Sequence, residues 1–151
     1  PELEKAAFDE EEAKLPPDER IVPASIAFSF YVSEAVAKLR MGELFWPVLT
    51  HHRKALENGS TTWPESPEPS RSECHAWGSW PMYFFARHLL GVQPPEPDTG
   101  RIVIRPLHCP PLDKISGTVQ TQRGPVHVKV TWAGGKAEVQ ADGPNVFVSK
   151  I

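Results

Sequence analysis

The sequence predicts an α+β protein with a helical part over residues 1–95 and a β part over residues 96–151. Apolar residues recur every three to four positions up to about residue 90 and then alternate with polar residues, which marks a change from helix to strand. The segment PPEPDTG separates the two patterns and is typical of a linker. Five Trp and seven Phe indicate a packed chain, although 17 prolines make it rich in loops.

Four helices are predicted in the first part. The acidic stretch EKAAFDEEEAK is expected to be a solvated helix that ends at Pro16-Pro17. The second helix begins around Pro23 and is apolar on more than one side, so we expect it to be largely buried. The third covers residues 43–56, and the fourth is the aromatic run AWGSWPMYFFARHLL, a buried helix ended by Gly91.

The second part reads as antiparallel β structure. Five alternating runs follow one another, and their sequences are RIVIRPL, ISGTVQTQ, GPVHVKVTW, KAEVQA and NVFVSKI. The pair Gly134-Gly135 between two of these runs is a hairpin signal. The pattern therefore predicts an antiparallel sheet that belongs to a small sandwich.

Composition excludes several classes of protein. There are 16 Lys and Arg against 19 Asp and Glu, a net charge of −3, so neither a nucleic-acid partner nor a basic membrane surface is expected. No apolar run is long enough for a membrane span and no signal segment opens the chain, which favours a cytoplasmic location without a membrane partner. Cys74 and Cys109 are expected to be free thiols.

The loop after the third helix and its exit carry the candidate chemistry. Carboxylates, an imidazole and indoles gather there, and the members are Glu65, Glu68, Glu73, His75, Trp63, Trp77 and Trp80. Indole faces stack on sugar rings, and carboxylates bind hydroxyls or act as acid and base, so this composition favours a sugar site. The i, i+3 spacing of Trp77 and Trp80 fits a buried helix equally well.

A metal site competes with this interpretation. The adjacent pairs Cys74-His75 and His51-His52 supply ligand types, but adjacent ligands rarely point the same way, and the spacings of known zinc motifs are missing. The sequence also contains no Gly-rich phosphate loop and no nucleophile elbow. We therefore expect no metal and no cofactor.

Three runs of the sequence together resemble one enzyme family. They are ENGSTTWPE, SRSECHAWGSWPMYFFARHLLGVQP and GRIVIRPLHCPPLDKISGTVQTQRGPVHVKVTW, preceded by the helix pair ASIAFSFYVSEAVAKLRMGELFWPVL. This set is similar to the C-terminal end of bacterial α-L-rhamnosidases of glycoside hydrolase family 78. The resemblance spans roughly residues 21–135.

The resemblance implies the terminal helices of an (α/α)6 barrel followed by a small antiparallel β-sandwich. It also implies inverting hydrolysis of terminal α-L-rhamnosides, with Glu65 as the general base and Glu73 as the alternative base. His75 would bind the sugar, and Trp63, Trp77 and Glu73 are the further substrate-binding candidates.

An inverting glycosidase needs a second, protonated carboxyl group, which the family carries upstream of the region that matches. The chain begins with Pro1 rather than Met, and its helices are apolar on several faces. We therefore expect a fragment that is inactive alone and has two partners, an α-L-rhamnoside and the remainder of the barrel. The alternatives are a non-catalytic carbohydrate-binding or supporting module and a related (α/α)6 hydrolase with another sugar specificity.

Overall fold

A computed structural model of the protein describes residues 24–65, 70 and 72–149. The α-helices are α1 (Ser29–Leu39), α2 (Phe45–Val48), α3 (Thr50–Glu57) and α4 (Trp80–Phe84). The strands are β1 (Ile102–Ile104), β2 (Lys114–Thr121), β3 (Gly124–Ala133), β4 (Lys136–Asp142) and β5 (Val146–Val148). Helices and sheets thus confirm the α+β prediction. The predicted acidic helix lies outside the described residues.

Helix α1 buries one face and exposes the other. Its buried residues are Ser29, Ser33, Val36 and Ala37, which recur at the spacing of a helix face. Its apolar residues Tyr31 and Leu39 are 63% and 66% exposed. The prediction of a largely buried helix is therefore wrong for this face, because nothing in the described part of the chain lies over it.

The predicted helix over residues 43–56 is broken into three pieces. A 3-10 turn (Gly42–Leu44) leads into α2, and α3 follows after Leu49. Pro47 lies inside α2 and has no N–H to donate, and the Leu49 N–H bonds to the carbonyl of Trp46 as in a tight turn. The broken path places Gly42 against the chain at His108, where a Cβ would lie 1.8 Å from the carbonyl oxygen.

The aromatic segment before the linker is also irregular. A 3-10 turn (Ala76–Ser79), α4 and a π-turn (Phe85–Leu89) succeed one another, and Gly91 ends the segment with φ +78°. Trp77 and Met82 are 76% and 68% exposed, so the prediction of an all-round buried helix is wrong here as well. The change of helix type turns successive side chains away from a single continuous face.

Phe45 stands at the centre of the helical core. Its ring is fully buried and stacks on Phe84, with ring centroids 4.1 Å apart and an angle of 9° between the planes. Trp46, Trp80 and Phe85 meet the same ring edge-on. The broken helices are therefore held by one aromatic cluster.

The strands form two sheets. Strands β2, β3 and β4 make an antiparallel meander, as predicted. Strands β1 and β5 pair in parallel, with Ile102 opposite Val146, so the prediction of a wholly antiparallel part is wrong for this pair. Alternation in the sequence reveals which side of a strand is buried, but it contains no information about its partner strand.

Both sheets share one apolar core, which contains Ile102, Ile104, Val126, Val128, Val130 and Trp132. Leu112 and Ile115 pack against this core and also against the aromatic core of the helices. Gly117 on β2 is approached by Leu90, whose Cδ1 would lie 2.9 Å from a Cβ at that position. The helical and β parts are therefore packed against each other.

Two further findings concern the composition-based expectations. Cys74 is an exposed free thiol and Cys109 a buried one, which confirms that they form no bridge. Burial, aided by the charge of Glu43, raises the pKa of the Cys109 thiol to about 12, so this thiol stays protonated. Among the helices of the described residues, none has the length and apolar character needed to cross a bilayer.

Candidate functional site

A groove of about 700 Å³ opens beside the start of α1. Among the described residues, its walls contain one carboxylate, Glu65, and one imidazole, His75, within an otherwise largely aromatic lining. The aromatic members are Phe28, Phe30, Tyr31, Trp77, Trp80 and Tyr83. The groove therefore combines a few polar groups with apolar rings, which is usual for a small-molecule site.

Backbone hydrogen bonds hold Glu65 and His75 on adjacent stretches of chain. The Glu65 N–H donates to the carbonyl of Ser72 at 2.8 Å, and the His75 N–H donates to the carbonyl of Trp63 at 2.7 Å. The hydroxyl of Thr62 donates to the carbonyl of Glu73. These hydrogen bonds join the two ends of the loop. The side chains of Glu65 and His75 therefore reach the same groove although ten positions separate them in the sequence.

Gly78 fixes how closely the two ends of the loop approach each other. A methyl group at this position would lie 2.7 Å from the Cβ of Trp63 and 3.3 Å from Cγ2 of Ile26. The contact admits only a hydrogen atom, because real Cβ atoms do not approach other carbons so closely. Glycine at position 78 therefore allows the two ends of the loop that carries Glu65 to lie this close together.

The three indoles of the loop have three different surroundings. Trp80 is buried, and its Nε1–H lies 3.0 Å from both the carbonyl of Ile26 and Oγ of Ser29. Trp77 is 76% exposed and meets the His75 ring edge-on at 5.9 Å. Trp63 is half-buried against His52 and does not line the groove. Only Trp77 therefore offers a free face beside the carboxylate.

Glu73 lies outside the groove. Its side chain is exposed, and its backbone carbonyl is the group that Thr62 binds. The sequence analysis names five residues as the base or as substrate-binding candidates. The structure brings Glu65, His75 and Trp77 to one groove, and Trp63 and Glu73 do not line it.

His52 contacts the loop through one hydrogen bond and two aromatic rings, a role that the sequence did not indicate. It is 3% exposed, its Nε2–H donates to the carbonyl of Gly78 at 2.8 Å, and the rings of Trp63 and Trp80 each meet it edge-on at 5.1 Å. Burial lowers the pKa of His52, and no group of the described residues accepts a hydrogen bond from its Nδ1. Folding therefore favours the neutral form of the His52 imidazole.

We expect the melting temperature to fall as the pH drops from 7.5 to 5. Burial lowers the pKa of His52 in the folded protein, whereas the unfolded chain has the ordinary pKa of about 6.5. As the pH falls, the unfolded chain therefore binds a proton before the folded protein does, and acid favours unfolding. His88 adds to the effect, because its pKa is lowered as well, with burial as the largest cause and Arg87 and Arg40 acting in the same direction, against the Glu34 carboxylate 2.6 Å from its Nε2. Calorimetry across this range measures the effect.

The control for this prediction is His52→Gln, whose amide can still donate to Gly78 but does not titrate. This variant should lose less melting temperature between pH 7.5 and 5 than the parent chain. Equal losses in the two proteins would show that His52 is not a source of the pH dependence.

Three exposed aromatic residues are among the groove residues that the sequence reasoning missed. Phe28, Tyr31 and Tyr83 line the groove and are 59%, 63% and 42% exposed. The signal was present, because the second helix is apolar on more sides than one core can cover, but it was interpreted as burial. Three exposed aromatic rings at one groove make it a candidate interaction surface.

The described residues contain no group of three or more His, Cys, Asp or Glu that could hold a metal ion. A carboxylate, an imidazole and a free indole face remain. These groups can bind hydroxyls, stack on a sugar ring and accept a proton from water.

Comparisons of the chain with protein-family models, with curated proteins and with solved structures find no match. Its function therefore has to be argued from its own residues.

Proposed function

We propose that this chain is the closing part of an inverting glycoside hydrolase that releases terminal α-L-rhamnose, with Glu65 as the general base. The observation that carries the proposal is that Glu65, His75 and the exposed face of Trp77 share one aromatic groove. The sugar specificity rests on the sequence resemblance alone.

Each of the three residues has a role that suits its surroundings. The indole of Trp77 offers a flat apolar surface for the less polar face of a pyranose. His75, whose ring meets Trp77 edge-on, has one nitrogen that can donate to a sugar hydroxyl and one that can accept. Glu65 accepts a proton from water, which then attacks the anomeric carbon.

The general acid has to come from outside the described residues. An inverting enzyme uses two carboxyl groups about 6.5–9.5 Å apart, with the attacking water between them. Among the described residues that line the groove, Glu65 is the only carboxylic acid. The exposed apolar side chains of α1 and α4 offer a surface for further helices of an (α/α)6 barrel, and Tyr31, Leu39 and Met82 are examples.

In this proposal the β part is the small β-sandwich that follows the barrel. Its core is shared with the helical part through Leu112 and Ile115, so it would act as a support for the terminal helices.

A second candidate function is a carbohydrate-binding or supporting module. What favours it is a shallow concavity of about 510 Å³ on the open face of the meander, lined by polar residues that include Thr118, His127, Lys129, Gln140 and Asp142. These side chains can bind hydroxyls, but the lining described for this concavity contains no Trp, Tyr or Phe ring on which a sugar could stack. The aromatic groove is therefore the better sugar site.

Tryptophan emission distinguishes the two candidates. We expect L-rhamnose to change the emission of the chain, and Trp77→Phe to remove most of that change, because Trp77 would touch the sugar. Trp132→Phe is the control, since Trp132 is 6% exposed in the β core. A change that survives Trp77→Phe and disappears with Trp132→Phe would favour the β part as the binding module.

A further inference from the structure

A second groove, of about 650 Å³, lies where the linker passes the end of β2. Arg87 and Tyr83 from the irregular helix form one side, residues 93–97 of the linker form another, and residues 119–123 of the hairpin form the third. Two of the lining side chains are guanidinium groups, Arg87 and Arg123. The groove is thus built from three separate segments, and its described charged side chains are two arginines and Glu96.

Neither guanidinium group has an ion-pair partner among the described residues. The ion pairs within the described residues join Arg53 to Glu57, His88 to Glu34 and Arg101 to Glu96, and they include neither Arg87 nor Arg123. The planar guanidinium group of arginine binds carboxylates and phosphates through paired N–H donors. Since no carboxylate of the described residues pairs with them, both groups can bind an oxyanion of a ligand.

The position of each guanidinium group is set by its neighbours. Arg87 lies over the ring of Tyr83 at 5.8 Å, and its Nε is buried without a hydrogen-bond partner in the described part of the chain. Arg123 lies against Gly100, where a Cβ would come within 2.2 Å of its Nη2. The glycine therefore leaves the space that this guanidinium group occupies.

The acidic residue of the groove does not cancel this charge. Glu96 accepts hydrogen bonds from Nε and Nη2 of Arg101 at 3.1 and 2.9 Å and from the Thr99 hydroxyl at 2.7 Å. These bonds lower the pKa of Glu96 and pair its charge with Arg101. The amides of Gln120 and Gln122 line the groove as uncharged polar groups.

We propose that this groove is an anion-binding site that takes the oxyanion group, a carboxylate or a phosphate, of a small polyhydroxy ligand. Arg87 and Arg123 bind the oxyanion, and the glutamine amides bind the hydroxyls. Tyr83 lines both grooves, but neither arginine lines the aromatic groove, so the anion site uses charged groups different from those of the proposed sugar hydrolysis.

Three matched sugars test the site by amide chemical shifts of the whole chain. Glucuronate and glucose 6-phosphate each carry an oxyanion, and glucose carries none. We expect at least one of the two anions to give saturable shifts around Gly100, Gln122 and Arg123, and glucose to give none. The anion that binds more tightly identifies the source of the oxyanion. Absence of saturable shifts with both anions, or equal binding of glucose, would overturn the proposal.

A second experiment removes one positive charge from the groove and measures how tightly the anion binds. Arg123 is exposed, so Arg123→Gln should fold normally and should weaken binding of the anion by about ten-fold, the effect of one charge-assisted hydrogen bond. Arg53→Gln removes the same charge from α3, where Arg53 is exposed and does not line the groove. If Arg53→Gln weakens binding as much as Arg123→Gln, the attraction is only general charge and the site does not exist.

Discussion

Replacing Glu65 with Gln should lower kcat on an aryl α-L-rhamnoside by about 10²- to 10⁴-fold, the usual contribution of a general base. The measurement requires a protein that also carries the rest of the proposed barrel. Gln keeps the size and the hydrogen-bonding capacity of Glu but cannot accept the proton of the attacking water. KM should change little, because the interaction is needed mainly in the transition state.

Glu73→Gln is the matched control for this prediction. Glu73 belongs to the same loop, but its side chain is exposed and does not line the groove, so kcat should be retained. A loss of kcat with Glu73→Gln and not with Glu65→Gln would make Glu73 the base. A variant at Glu65 that alters KM while kcat is retained would reject the base assignment.

Truncating Phe45 to Ala should have the largest effect on stability, about 4 kcal/mol of unfolding free energy. The ring is 0% exposed, and four aromatic rings surround it, so the protein cannot close the cavity that truncation leaves. Denaturant titration measures the loss. Because Trp80 packs on Phe45 and also lines the groove, weaker sugar binding should accompany the loss of stability.

Phe28→Ala is the matched control, since it removes the same side chain from a site that is 59% exposed. Its cost should stay below about 1 kcal/mol, as for most exposed positions. Similar losses for Phe28 and Phe45 would mean that the aromatic cluster is not the core of the helical part.

The strands of the meander could be predicted closely from the sequence, because each has one buried and one exposed face. In β3, Val126, Val128 and Val130 are buried, and the alternation that identified the strand has the same origin. The parallel pairing of β1 with β5 could not be predicted, since pairing depends on the path of the chain and not on the alternation within a strand.

The positions of the described helical segments could be predicted, but their interruptions and helix types could not. An apolar period identifies a helical segment, but it does not reveal the turn at Leu49 or the π-turn at Phe85–Leu89, which depend on local hydrogen bonds. Nor does it show which apolar face is covered. Tyr31 and Leu39 have the same pattern as buried residues, but they are exposed here.

In the candidate site, the residues that share the groove could be predicted in part, and the geometry could not. The gathering of carboxylates, an imidazole and indoles in one stretch of sequence predicted a shared site, and Glu65, His75 and Trp77 do line one groove. The different burial of Trp77 and Trp80 was not predictable, since their i, i+3 spacing is equally compatible with core and surface. His52 was missed because its role depends on a carbonyl 26 positions away.

The most direct test of the central claim is to locate L-rhamnose on this chain by amide chemical-shift changes. The account predicts saturable shifts at Glu65, His75, Ala76 and Trp77, and their loss in the Trp77→Ala variant. Shifts confined to the open face of the meander, around Thr118, His127 and Lys129, would contradict the account and assign sugar binding to the β part.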